Sequence, residues 1–77
     1  MAFNWLDDPH YLQTLIREII LDIITLEDGK IVTSDELFTE IKKYHPDCPK
    51  EKMQIAIKSM SGQPYYSALL ERLEITS

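Results

Sequence analysis

The sequence predicts a small, mainly α-helical domain of three to four helices with at most a minimal β-strand. Three segments carry apolar residues at three- and four-residue steps, and each begins at a capping residue or a proline. Apolar residues at that spacing form one face of a helix. A chain of 77 residues holds a single hydrophobic core. We therefore expect residues 1–77 to form one domain.

The first helix is predicted over about residues 9–25. Asp8 can accept hydrogen bonds from the first turn, and Pro9 suits the first helical position. Leu21 falls on the other side of the helix from the apolar stripe and is expected to be exposed. The stripe is broad, which indicates either a helix covered by neighbours on two sides or a helix that also serves a dimer. Its members are Leu12, Leu15, Ile16, Ile19, Ile20, Ile23 and Ile24.

A turn at residues 26–29 is expected to end this helix, and Lys30-Ile31-Val32 suffices for a minimal strand. Thr33 and Glu36 match a capping box, in which each side chain accepts from the other residue's backbone N–H. They predict a second helix over residues 34–44. The apolar face of that helix consists of Leu37, Phe38, Ile41 and Tyr44.

The third helix is predicted over residues 49–61. His45-Pro46 ends the second helix, because the residue before a proline avoids helical geometry, and Pro49 suits a new first turn. The residues expected inside are Met53, Ala56, Ile57 and Met60, and those expected outside are Lys50, Glu51, Gln54 and Lys58. Ile55 lies off the apolar face. It either packs under the C-terminal segment or is exposed to a partner.

After a break at residues 61–64, the spacing of Tyr65, Tyr66, Leu69, Leu70 and Leu73 favours a short fourth helix. We expect this helix from about Pro64 to Arg72. Leu73 and Ile75 alternate with polar residues, as in a half-buried strand. The helix is therefore expected to continue into an extended tail.

Catalytic and metal-binding chemistry finds little support in the sequence. The chain has two histidines, one cysteine and two glycines, which provide neither zinc-ligand spacing nor a glycine-rich phosphate loop. His45 and Cys48 are three residues apart, a spacing that a turn explains better than a nucleophile–base pair. We expect no enzymatic activity, no cofactor and no metal.

Targeting features are also lacking. The first residues do not show the basic and apolar regions of a signal peptide, and no apolar run approaches the roughly 20 residues of a membrane span. Cys48, the single cysteine, cannot form an internal disulfide, which favours a reducing compartment. We expect a cytoplasmic protein with no membrane partner.

The net charge of −5 argues against broad nucleic-acid binding, but the charge is unevenly distributed. Residues 42–58 carry a net +3, which leaves −8 for the rest of the chain. The basic residues of this segment are Lys42, Lys43, Lys50, Lys52 and Lys58. The segment is either an ordinary solvated surface or a contact for DNA phosphates.

The order helix, short strand, helix, tight turn, helix is that of a winged-helix domain, in which the third helix enters the major groove. The lysines would then contact phosphates, and Gln54 is the best candidate for reading bases. Residues 13–60 resemble the winged helix of ferric-uptake-regulator-type proteins. Thr33-Ser34 resembles the start of that family's second helix, Glu36-Leu37-Phe38 its packing run, and His45-Pro46-Asp47 its approach to the recognition helix.

The chain departs from this family in two respects. The family's recognition helix carries a Tyr-Arg pair that meets DNA, where this chain has Gln54-Ile55. Residues 1–77 are also not expected to contain a counterpart of the family's metal-binding domain. The resemblance thus implies a winged-helix scaffold without its metal sensor and with a different reading surface.

Two functions follow from the residues. The first is a small DNA-associating regulatory protein, expected to be a homodimer, since a core this small is marginal alone. The second is a non-enzymatic protein-interaction module that uses Leu21, Ile55, Tyr65 and Tyr66. The basic segment favours DNA, and the acidic total charge favours a protein partner.

Overall fold

The computed structural model describes residues 8–74, and the mainly α-helical class is confirmed there. The elements are α1 (Pro9–Leu26), β1 (Val32–Thr33), α2 (Ser34–Tyr44), α3 (Lys50–Ser61), a 3-10 turn (Pro64–Tyr66), α4 (Ser67–Leu70) and β2 (Leu73–Glu74). The bounds of the three long helices agree with the predicted ones to within one residue. No helix of residues 8–74 combines the length and apolarity needed to cross a membrane.

The predicted helix caps are present at α1 and α2. The Asp8 carboxylate accepts from the N–H groups of His10 at 3.0 Å and Tyr11 at 3.3 Å. The Thr33 hydroxyl oxygen accepts from the Glu36 N–H at 3.1 Å. The Glu36 carboxylate accepts from the Thr33 hydroxyl at 3.5 Å, rather than from the Thr33 N–H that a capping box uses.

The core lies between α1 and the pair α2–α3. Helix α1 packs against both of these helices, which fits the prediction of a central helix covered on two sides. The buried apolar residues are Leu12, Ile16, Ile19, Ile20, Val32, Leu37, Ile41, Cys48, Met53, Ala56, Ile57 and Met60. Every residue predicted inside α3 is among them.

The C-terminal segment, residues 64–74, folds back beside the start of α2. Strands β1 and β2 pair in parallel, with Val32 opposite Leu73 and Thr33 opposite Glu74. The N–H of Val32 also donates to the carbonyl of Arg72 at 2.7 Å.

Three details of the predicted order differ from the structure. The strand lies at Val32–Thr33 instead of residues 30–32. The predicted fourth helix is divided into the 3-10 turn and α4, and the expected extended tail begins at Leu73. Ile75 lies outside the described residues. Within residues 8–74, α3 leads into helical turns and a parallel strand, not into an antiparallel hairpin of the kind that forms a wing.

Candidate functional site

The exposed side of α3 carries the residues predicted to meet DNA. Lys50, Gln54 and Lys58 are all exposed, and steps of four residues place them along one side of the helix. We call these three residues the α3 face. Gln54 and Lys58 also border a cavity of about 280 Å³. Lys50 lies 3.4 Å from the Asp35 carboxylate at the start of α2.

The other three lysines predicted to contact DNA lie outside the α3 face. They are Lys42, Lys43 and Lys52. Lys43 binds the Glu40 carboxylate at 2.8 Å, and the Lys42 ammonium lies 5.5 Å from the centre of the Phe38 ring. Lys52 is exposed and forms no ion pair with another of residues 8–74. Exposed ion pairs are weak and exchangeable, so these contacts reduce the local positive potential without blocking the lysines.

A second site is a groove between α1 and the C-terminal segment. It encloses about 480 Å³ and opens to solvent. We call it the C-terminal groove. The residues that line it are Arg17, Leu21, Ile24, Tyr65, Tyr66, Ala68, Leu69 and Arg72.

Local structure explains how this groove forms. Helix α1 places Arg17, Leu21 and Ile24 at steps of four and three residues, which align on one side. The 3-10 turn supplies the opposite wall with Tyr65 and Tyr66, whose rings meet edge to face with centroids 5.0 Å apart. Tyr66 packs partly against the core, whereas Tyr65 is 74% exposed.

The structure brings together three of the four predicted protein-interface residues. Leu21, Tyr65 and Tyr66 line the C-terminal groove. Ile55 lies on α3, outside the groove lining, and is 55% exposed. The prediction that Leu21 is exposed was wrong: the side chain is partly buried, because the C-terminal segment packs beside this part of α1.

Sequence reasoning missed the arginines of this groove. Arg17 and Arg72 are the only two arginines of the chain, and both line the groove, whereas none of the six lysines does. Arg17 contacts its neighbour Glu18 at 2.9 Å. Arg72 forms no ion pair within residues 8–74. If arginines and lysines had been counted separately, the sequence would have drawn attention to both positions, because the chain has only two arginines.

His45 and Cys48 occupy a turn and do not form a nucleophile–base pair. The Cys48 N–H donates to the His45 carbonyl at 3.0 Å, while His45 Nε2 and the Tyr11 hydroxyl are hydrogen-bonded at 2.8 Å. Burial raises the pKa of the Cys48 thiol, which lowers the population of the reactive thiolate. Residues 8–74 contain no cluster of three His, Cys, Asp or Glu side chains that could hold a metal ion.

Comparison with known proteins provides no relative. No protein-family model, no curated protein and no solved structure matches this chain.

Proposed function

We propose that this chain is a non-catalytic protein-binding module whose C-terminal groove receives apolar side chains of another polypeptide. The observation that carries the proposal is the groove itself, an open concavity of about 480 Å³ with leucine, isoleucine and tyrosine in its walls. A hydrophobic groove that receives the apolar side chains of a partner helix is a recurring mode of peptide recognition. Tyrosine and arginine, both present here, are enriched at interface positions that dominate affinity.

Two further observations support binding in preference to catalysis or general polyanion binding. The buried Cys48, with its raised pKa, is a poor nucleophile. The net charge of −5 disfavours the phosphate attraction on which most nucleic-acid binding depends.

The test uses a displayed library of random peptides selected on the purified protein. Ala68 is exposed in the groove, so Ala68→Gln narrows the groove without disturbing the core. We expect selected peptides to bind this variant at least about tenfold more weakly, equivalent to about 1.4 kcal/mol. Thr39→Gln, at an exposed position of α2, is the matched control and should leave binding unchanged.

Two results would reject the groove as the binding site. One is a selection that yields no binding peptide. The other is a set of peptides that bind wild type and Ala68→Gln equally well.

The α3 face supports a second candidate, a DNA-associating winged-helix-like regulator. The supporting observation is that Lys50, Gln54 and Lys58 are all exposed along one side of the helix. Lys58→Ala should weaken binding to every DNA sequence alike and reduce the salt slope by about one. Gln54→Ala should cost about 1–3 kcal/mol on a preferred sequence only. A mobility-shift titration at low salt in which no DNA fragment moves would eliminate this candidate.

A homodimer is expected under either function. Leu12, Ile16 and Ile20 are buried within the chain itself, so most of the apolar stripe of α1 is already covered. A dimer would have to use other surfaces, such as the apolar walls of the groove. Sedimentation equilibrium from micromolar to near-millimolar concentration tests this expectation, and a monomer throughout rejects it.

A further inference from the structure

The C-terminal groove differs in charge from the chain that surrounds it. Its lining contains two cationic side chains, Arg17 and Arg72, and no carboxylate. The chain as a whole is strongly acidic, with 13 acidic and 8 basic residues. A groove whose charged lining residues are all cations is therefore a local exception.

The type of cation is also informative. Arginine presents a planar guanidinium that pairs with a carboxylate through two parallel hydrogen bonds, and it loses less hydration than lysine on entering an interface. The chain places both of its arginines here and all six lysines elsewhere. This distribution suits recognition of carboxylates beside an apolar surface.

Both arginines are available to a partner. Arg17 is held by the adjacent Glu18 at 2.9 Å, but both side chains are substantially exposed, and an exposed pair of this kind contributes little and exchanges readily. Arg72 is partly buried, which limits the hydration that it would lose on binding. Within residues 8–74 no carboxylate forms an ion pair with it.

The length of the α1 wall is compatible with a helical partner. The α1 wall extends from Arg17 to Ile24, a length of about 10 Å at 1.5 Å per residue, which matches two turns of a docked helix. An amphipathic helix presents apolar side chains at three- and four-residue steps to such a groove. Carboxylates at its margins would then face the two guanidinium groups.

We propose that the C-terminal groove recognises an acidic amphipathic segment of a partner protein, with apolar side chains in the groove and carboxylates on Arg17 and Arg72. This proposal rests on the proposed protein-binding function and adds the chemistry of the partner. A second copy of this chain and a neutral apolar segment are the rival occupants.

The experiment uses three fluorescein-labelled helical peptides with the same apolar positions. The remaining positions are filled by glutamate, glutamine or lysine, and binding is measured by fluorescence anisotropy at 50 and 300 mM NaCl. We expect the glutamate peptide to bind at least about tenfold more tightly than the glutamine peptide, with its affinity reduced at the higher salt concentration because the charges are screened. The lysine peptide should not bind.

Variants of the protein assign the effect to the arginines. Arg17→Gln and Arg72→Gln should each weaken the glutamate peptide about tenfold and leave the glutamine peptide unchanged. Lys52→Gln removes the same charge from α3, at an exposed position outside the groove, and should change neither peptide by more than about twofold. Thermal melting followed by circular dichroism verifies that each variant is folded.

The outcomes separate this proposal from the one on which it rests. Equal binding of the glutamate and glutamine peptides, with both lost in Ala68→Gln, would retain the groove as a binding site and overturn the acidic partner. Failure of all peptides, together with failure of the library selection, would overturn both proposals. A dimer that Ala68→Gln dissociates would assign the groove to a second copy and also overturn the acidic partner.

Discussion

The three long helices and the C-terminal segment bury their apolar side chains to different extents. Ile16 and Ile20 on α1, Leu37 and Ile41 on α2, and Met60 on α3 are fully buried. In contrast, no residue of the 3-10 turn or α4 is buried, and the apolar residues of the segment that pack against the core are only partly buried themselves. Regions with few buried apolar contacts open at a lower free energy than the core. One wall of the groove thus belongs to the stable helix α1. The other wall belongs to the C-terminal segment, which opens at a lower free energy and is the more adaptable of the two.

The largest expected change in the free energy of unfolding is in the core of the long helices. Ile16→Ala should lower the free energy of unfolding by about 2–5 kcal/mol, because it removes methylene groups from a fully enclosed position and leaves a cavity. Chemical denaturation measures this change. Leu70→Ala, in the partly buried C-terminal segment, is the comparison variant. If both variants cost the same, the two regions do not differ as their burial indicates.

The second prediction concerns the attachment of the C-terminal segment. Leu73→Ala should cost about 1–2 kcal/mol, since full burial of a leucine stabilises by about 1.5–3 kcal/mol and Leu73 is only partly buried. The Val32 amide, which donates to Arg72 of the segment, reports on this attachment by hydrogen exchange. The variant should accelerate exchange at Val32 and leave the amide of Ile20 nearly unchanged. Equal acceleration at both amides would show that the segment and α1 open together.

The same division explains what the sequence could predict. Helices α1, α2 and α3 were predictable because local features define them: Asp8 and Thr33 cap the first turns, and Pro46 stops α2. Each of these features acts within a few residues. The apolar spacing also predicted the whole inner face of α3. On α2 it was correct for Leu37 and Ile41 but wrong for Tyr44, which is 62% exposed at the end of the helix.

The C-terminal segment depends on contacts distant in sequence. The parallel pairing of Val32 with Leu73 follows from tertiary packing, which no local pattern records. Arg17 and Arg72, which are far apart in the sequence, line the same groove for the same reason. Tyr65 and Tyr66 were predictable as candidates because tyrosines beside a break are conspicuous, whereas the partly buried position of Leu21 was not.

A smaller effect on the free energy of unfolding is expected at Cys48, which is buried in the core. Burial raises its pKa above the ordinary value of 9.0, so the folded state holds the thiol proton more tightly than the unfolded state. The resulting stabilisation is complete below pH 9 and is lost as the pH rises through the folded-state pKa. Denaturation at pH 8 and pH 10 should show a larger loss for wild type than for Cys48→Ala. An identical loss would indicate a solvent-accessible thiol.

The smallest effect on stability is expected at Tyr65 and Ile55, the exposed apolar residues of the groove and of α3. Exposed substitutions usually change stability by less than about 0.5 kcal/mol. The edge-to-face contact of Tyr65 with Tyr66 raises its expected cost to at most about 1 kcal/mol. Ile55→Ala should therefore melt within a few degrees of wild type, and Tyr65→Ala no more than about 8 °C below it. Their binding should differ, because Tyr65→Ala removes a wall of the groove and should weaken the glutamate peptide, whereas Ile55→Ala should leave its affinity unchanged. If Ile55→Ala alone weakens peptide binding, the partner docks on α3, and the adaptable segment is not the binding surface.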